Sequence, residues 1–152
     1  MKPYQALLAL ALALLPLAAQ AQDAVVHNAS TLSPTTVSPG VTLKELTGLS
    51  AGGSARSERV SVALFHLEPG RASAWSHNKV GEESFFVLKG KGDVWTGHRW
   101  QPVESGSYVV IPPSNVRSIR ASKDESLDFY AITAPAWTQD DDVHTAAPAG
   151  SN

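Results

Sequence analysis

The sequence predicts an all-β fold, and three observations support this prediction. Short apolar or alternating runs, such as residues 60–67, 84–88 and 127–132, have the length and composition of strands. Glycine and proline residues separate these runs, and no segment carries a convincing helical period. Several short strands with this punctuation are typical of an antiparallel barrel or sandwich.

The expected strands follow one another with clear turn signals between them. Residues 41–46 alternate in the manner of a half-buried strand, and the Gly/Ser-rich residues 48–56 predict a loop. Further strands are expected at residues 60–67, 84–88, 94–96, 99–103, 108–111 and 127–132, with Gly97-His98 as a hairpin turn. This order and spacing favour one β domain.

The first residues have the features of a secretory signal peptide. Lys2 supplies the positive charge, residues 6–15 form an apolar run, and Ala19-Gln20-Ala21 is a small-residue cleavage site. The run is shorter than the roughly 20 apolar residues that a membrane-spanning helix requires. We therefore expect residues 1–21 to be a signal peptide, Gln22 to begin the mature protein, and the protein to be periplasmic or secreted without a membrane anchor.

The rest of the chain divides by composition into three parts. Residues 22–40 are rich in Ala, Ser, Thr and Pro and predict a flexible N-terminal arm. Residues 41–137 predict a single folded domain, and residues 138–152, which include three consecutive aspartates, predict a disordered acidic tail. Because the chain has no cysteine and a formal net charge of −2 without a basic stripe, thiol chemistry is excluded and nucleic-acid binding is disfavoured.

Two motifs in the middle of the chain define a family resemblance. Residues 69–90 are similar to a signature of Gly, five residues, His-x-His, three or four residues, Glu, six residues and Gly, with Glu83 and Gly90 at the last two positions. Residues 106–121 are similar to Gly, five residues, Pro-x-Gly, two residues, His, three residues and Asn, with three departures: Ser114 for Gly, Arg117 for His and Ala121 for Asn. These are the two signatures of the cupin superfamily, which the chain resembles over roughly residues 57–133.

The resemblance implies a single-domain cupin, an antiparallel jelly-roll β-barrel. In metal-binding cupins, two His and one Glu of the first signature and one His of the second point into the barrel and hold a divalent ion. Carried over residue by residue, the resemblance retains His77 and Glu83, while Lys79 and Arg117 replace the other two ligands. A register shifted by one residue instead places Ser76 and Asn78 at the first two ligand positions.

Either register argues against a metal cofactor. Arginine cannot be deprotonated in a protein, and a fixed cation about 4 Å from a divalent ion is repelled by roughly 8 kcal/mol at an effective dielectric of about 20. Two remaining ligands do not offset such a repulsion. His66 is a weak candidate for a further ligand, because a lone histidine on a strand is more often packed or exposed. We therefore predict no cofactor.

The leading functional prediction is an exported, metal-free cupin that binds a small anionic molecule in its barrel. His77, Lys79, Glu83 and Arg117 would bind this ligand, a carboxylate, phosphate or sugar, with the two cations contacting the anion. No catalytic residue is assigned. The resemblance also implies a homodimer as a further partner, with the N-terminal arm adding a strand at an open sheet edge.

Three other functions stay open at this stage. One is a metal-dependent oxygenase or isomerase that uses His77, Glu83 and His66. Another is a metal-free epimerase with His77 as general base and Tyr130 as its partner. A third is a scaffold in which an ion pair has replaced the metal. Three tryptophans have two interpretations, ligand stacking or core and interface packing, and the second is favoured: Trp75, Trp95 and Trp100.

Overall fold

Two antiparallel β-sheets face each other in the computed structural model, which describes residues 23–151. The predicted signal peptide lies outside the described residues. Eleven strands are defined in this part of the chain: β1 (Thr35–Ser38), β2 (Val41–Thr47), β3 (Ser61–Leu67), β4 (Ser76–Asn78), β5 (Glu82–Lys89), β6 (Lys91–Thr96), β7 (Trp100–Glu104), β8 (Tyr108–Ile111), β9 (Arg117–Ala121), β10 (Leu127–Ala134) and β11 (Asp142–His144). Single 3₁₀ turns occur at Ala29–Thr31 and Gly53–Ala55.

The strand order confirms the predicted antiparallel jelly roll. One sheet has the order β1-β2-β3-β10-β5-β8, and the other has the order β11-β4-β9-β6-β7. Neighbouring strands are often distant in sequence, as when β10 pairs with both β3 and β5. Among the described strands no ladder joins β7 to β8, so the two sheets form a sandwich with an open edge and not a closed barrel.

The core lies between the sheets and follows the period of two expected for strands. Along β10, Leu127, Phe129 and Ala131 are buried, and the residues between them are only half-buried. The Phe129 ring packs against Phe65 and Phe85, with ring centroids 5.2 and 5.0 Å apart. Burying such a ring contributes about 1.5–3 kcal/mol, so this aromatic centre is a main source of cohesion between the strands.

Two turn residues of the signatures have a left-handed backbone, Gly90 and Ser114. A side chain at Gly90 would place its Cβ 1.9 Å from the Ser126 carbonyl oxygen, and Gly90 has a φ of +89°, so only glycine fits this close approach. Ser114, which replaces the glycine of the second signature, has a φ of +65°. The left-handed turn of the motif is therefore retained although its glycine is not.

Both predicted flexible ends contain ordered strands in the structure. Within the predicted arm, β1 pairs with β2 at the edge of the first sheet. Within the predicted tail, β11 pairs with β4, and the Trp100 side chain donates a hydrogen bond to the Ser151 carbonyl at 2.7 Å. Both segments are poor in large apolar residues, and β1 and β11 are paired through backbone hydrogen bonds. Composition alone therefore gave no sign of this order.

No helix within residues 23–151 has the length and apolar character needed to cross a membrane.

Candidate functional site

The register of β4 decides which residues reach the interior. Ser76 and Asn78 are buried, at 6% and 4% exposure, whereas His77 between them is half-buried and points the other way. Ser76 lies directly across from Arg117 on β9. The structure therefore follows the shifted alignment, in which Ser76 and Asn78 stand at the first two ligand positions of the signature.

Arg117 and Glu83 form a buried ion pair at the polar end of the interior. Their side chains are each 7% exposed, and Arg117 Nε donates to Glu83 Oε2. Arg117 Nη1 donates to Ser76 Oγ at 3.1 Å, and Nη2 donates to Asn78 Oδ1 at 3.2 Å. The guanidinium thus connects all of the residues that occupy the four ligand positions.

A second carboxylate reaches the same guanidinium from the C-terminal segment. Asp142 Oδ1 lies 3.5 Å from Arg117 Nη2, and the Asp142 side chain is 13% exposed. Thr133 Oγ1 donates to the other oxygen of Glu83 at 3.4 Å. With one cation and two carboxylates, the cluster carries an excess of negative charge when both acids are ionised.

This arrangement changes the acidity of Glu83. Burial raises the pKa of Glu83 above its ordinary value of 4.5, and the charge of Asp142 raises it further. The guanidinium of Arg117 and the hydroxyl of Thr133 act in the opposite direction without cancelling the rise. Protonation of Glu83 would balance the buried charge, since Arg117 stays paired with Asp142.

The other two predicted ligand-binding residues lie outside this cluster. Lys79 is in an exposed position, where its Nζ donates to the Asp140 carbonyl oxygen at 2.6 Å. His77 lies across from Val143 on β11, and its buried Nδ1 has no hydrogen-bond partner among the described residues. The structure therefore brings together Glu83 and Arg117 but not His77 and Lys79.

Two further residues that the sequence suggested for a site, Tyr130 and His66, lie on the outside of the first sheet. Tyr130 lies between buried Phe129 and Ala131 on β10, so its ring is on the opposite face from the core. His66 is exposed, and its Nδ1 lies 2.5 Å from Asp128 Oδ1. Neither residue reaches the interior, and His77 and Tyr130 belong to different sheets.

The three tryptophans pack against one another. Trp75, Trp95 and Trp100 have ring centroids 5.4–5.8 Å apart with edge-to-face angles of 62–79°. Arg120 covers the Trp100 ring, with Cζ 4.0 Å from its centroid. The favoured interpretation of packing agrees with these contacts.

The residues at the four ligand positions do not fit a divalent metal ion. Ser76 and Asn78 are poor metal ligands beside a fixed guanidinium, and Glu83 is already engaged by that guanidinium. Within residues 23–151, no group of three or more His, Cys, Asp or Glu side chains is placed to hold a metal. The metal-dependent alternative, which required His77, Glu83 and His66 together, has no geometric basis because these side chains point in three different directions.

A cleft opens at the edge where the two sheets fail to close. It has a volume of about 420 Å³ and lies between β7 and β8. Its lining consists of Val94, Thr96, Gln101, Pro102, Val103, Ser107, Tyr108, Val109 and Val110. Thr96 lies directly across from Arg117 in the β6–β9 ladder, so the cleft adjoins the buried cluster.

Fold and site together define an antiparallel jelly roll with a polar interior end and a side cleft. Residues 63–133 match the cupin domain family. The chain belongs to the cupin superfamily, as its two signatures predict.

Solved structures of the same fold include three bacterial proteins. KdgF from Halomonas matches with a TM-score of 0.66 at 14% identity, covering 78% of this chain and 98% of that one. The polyketide cyclase RemF from Streptomyces resistomycificus gives 0.67 at 14%, covering 84% and 89%. The nucleoside dehydratase Pac13 from Streptomyces gives 0.64 at 15%, covering 81% and 92%. Identities this low show the fold alone, and no curated protein sequence matches this chain.

Three contributors to the site were not predicted from the sequence. Asp142 lies in a segment assigned to disorder, and Thr133 looked like an ordinary strand residue. The cleft residue Gln101 carried no motif. A signal did exist for Ser76 and Asn78, because the shifted register of the first signature places both residues at ligand positions.

Proposed function

We propose that this protein is an exported cupin that binds a small, neutral, polar molecule without a metal, in the cleft between β7 and β8. The observation that carries this proposal is the self-satisfied network of Ser76, Asn78, Glu83 and Arg117 at the family's metal position. With that position filled, the adjoining cleft offers a concave surface on which a ligand could bind.

The charge of the buried cluster favours a neutral ligand over the anion predicted from sequence. Each nitrogen of Arg117 already faces an acceptor, and two of these acceptors are carboxylates. While Glu83 and Asp142 are both ionised, an added anion would join a site that has more negative than positive charge, which is costly in a desolvated position. Of the ligand classes predicted from the sequence, we therefore propose the sugar. The carboxylate and the phosphate are the alternatives to be tested.

The lining of the cleft suits such a molecule. The open surface of the cleft is mainly polar, because Val94 and Val103 are 1% and 6% exposed and contribute little to it. Gln101 and Thr96 form a neutral polar pair, with Gln101 Nε2 donating to Thr96 Oγ1 at 2.5 Å. Tyr108 is 59% exposed at the rim, where an aromatic ring can cover a sugar or a base. Neutral hydrogen-bonding groups beside an aromatic ring suit a polar, uncharged molecule.

Paired probes test the ligand class directly. Thermal unfolding would be followed with a hexose, its phosphate ester and uridine, the last chosen because a structure of Pac13 contains uridine. We expect neutral probes to raise Tm and the Gln101→Leu variant to lose this rise, while Gln139→Leu in an exposed position keeps it. A rise with the phosphate ester alone, lost in Arg117→Met, would instead support the anion prediction.

Two measurements test the remaining parts of the proposal. Export predicts that the protein recovered from a periplasmic fraction begins at Gln22, which intact mass measurement would detect. Elemental mass spectrometry of protein purified without chelator tests the metal-dependent enzyme alternative. One transition-metal ion retained per chain would contradict metal-free binding.

A further inference from the structure

The guanidinium of Arg117 has hydrogen-bonding capacity that the interior network does not use. An arginine carries five N–H donors. In this structure Nε, Nη1 and Nη2 each donate once, to Glu83, Ser76 and Asn78. One further N–H on Nη1 and one on Nη2 have no hydrogen-bond acceptor within residues 23–151. A pair of N–H groups on one guanidinium is the usual partner of a carboxylate, which accepts from both.

The chain's own Asp142 stands beside these donors but fits them poorly. Asp142 Oδ1 lies 3.5 Å from Arg117 Nη2, whereas a charge-assisted hydrogen bond between such groups is about 2.7–2.9 Å long. The same oxygen is buried and has no hydrogen-bond partner in the part of the chain that the structure describes. A buried acceptor left in this state costs about 1–3 kcal/mol, and more when it is charged. A carboxylate that is free to adjust its position would form the hydrogen bonds that Asp142, held by its strand, does not form.

Asp142 belongs to a C-terminal strap, residues 138–145, which is attached mainly through polar contacts. Its strand β11 has three residues and pairs with β4 at the end of the second sheet. The Asp141 carboxylate accepts from the backbone N–H groups of Val80 and Gly81 at 2.8 and 2.9 Å. No side chain of the strap belongs to the hydrophobic core. Segments with so few buried apolar contacts open at a lower free energy than the core strands do.

The two ends of the strap are fastened by hydrogen bonds to backbone atoms. Lys79 Nζ donates to the Asp140 carbonyl oxygen at 2.6 Å, and the Thr145 backbone N–H donates to the Trp75 carbonyl oxygen at 2.9 Å. Thr145 Oγ1 is buried without a hydrogen-bond partner among the described residues. A strap held in this way can leave the sheet without exposing the core, and its departure would withdraw Asp142 from Arg117.

We propose that Arg117, with Ser76 and Asn78, forms a binding site for a small monocarboxylate, and that Asp142 occupies this site as an internal substitute for the ligand. A ligand carboxylate that displaces Asp142 leaves the charge beside Arg117 unchanged. The exchange therefore avoids the cost that an added anion meets while Asp142 is in place. Because the site is free only when the strap is released, the apparent affinity is reduced by the fraction of open molecules. This site is separate from the cleft proposed for a neutral ligand.

Formate and its neutral analogue formamide test this proposal in the whole protein. Asp142→Asn removes the competing charge and keeps the shape, and Asp142→Ala also leaves space for the ion. Asp140→Asn makes the same charge change at an exposed position of the strap. The Kd for formate is obtained from the rise in Tm with formate concentration, at an ionic strength held constant with chloride. We expect both Asp142 variants to bind formate with a Kd at least about tenfold below that of the wild type, and Asp140→Asn to match the wild type.

Circular dichroism first confirms that each variant is folded. Equal formate Kd values for folded Asp142→Asn and Asp140→Asn would overturn the proposal. An equal response of the Asp142 variants to formamide would also overturn it, because the site would then accept neutral molecules and not require a carboxylate. If Asp142→Ala does not fold, the comparison of the two asparagine variants decides.

Discussion

Strand β5 carries two opposite arrangements three residues apart. Glu83 points inward, where a charged group is buried, and Phe86 points outward, where an aromatic ring is exposed. The inner carboxylate is paired with Arg117 and accepts a hydrogen bond from Thr133, whereas the outer ring is 37% exposed beside its neighbour Tyr108, at a centroid distance of 6.5 Å. The comparison indicates that the position of the family's metal ligands is filled by the chain's own side chains, and that exposed apolar surface lies on the outer face of β5.

The inner network should be the more costly of the two regions to break. Arg117→Met leaves Glu83 and Asp142 buried without a cation, so we expect a loss of about 3–5 kcal/mol in the free energy of unfolding. Urea denaturation monitored by tryptophan fluorescence measures this loss. Arg56→Met removes an exposed pair with Glu58 and should cost only about 0–1 kcal/mol. Equal effects of the two changes would mean that the buried network contributes little.

Histidines introduced at the ligand positions of the two signatures should create a metal-binding site. The triple change Ser76→His, Asn78→His and Arg117→His gives four ligands with Glu83 in the observed register, and we expect it to bind a divalent transition metal. Metal at about a hundred times its Kd would then raise stability by about 2.7 kcal/mol, which thermal unfolding with and without zinc measures.

The alternative register supplies the control for this experiment. Lys79→His with Arg117→His uses the native His77 and also yields three histidines, placed with Glu83 at the ligand positions of the other register. Because Lys79 is in an exposed position and His77 points away from the interior, we expect no stoichiometric metal by elemental analysis. Metal binding by this pair and not by the triple variant would show that the register of β4 is wrong.

The two regions differ in how far sequence could predict them. The signatures located β5 and the Pro112 turn, and they placed Glu83 and Arg117 at two of the four ligand positions, where the structure pairs the two side chains. They could not decide which residues of β4 stand at the ligand positions. A strand of three residues without large apolar side chains shows no alternation of apolar and polar residues from which its buried face could be predicted. Asp142 depended on a pairing between segments more than 60 residues apart, which local composition does not encode.

The raised pKa of Glu83 predicts a smaller effect, on the pH dependence of the free energy of unfolding. Because its folded pKa is raised above the ordinary 4.5, the native state binds more protons than the unfolded state in the range just above that value. The resulting stabilisation is fully present at pH values below the pKa of Glu83 in the unfolded chain. It is lost as the pH rises through the pKa of Glu83 in the folded protein. Stability should therefore fall across this window in the wild type, relative to Glu83→Gln, in urea unfolding at a series of pH values. Parallel curves for the two proteins would argue against a raised pKa.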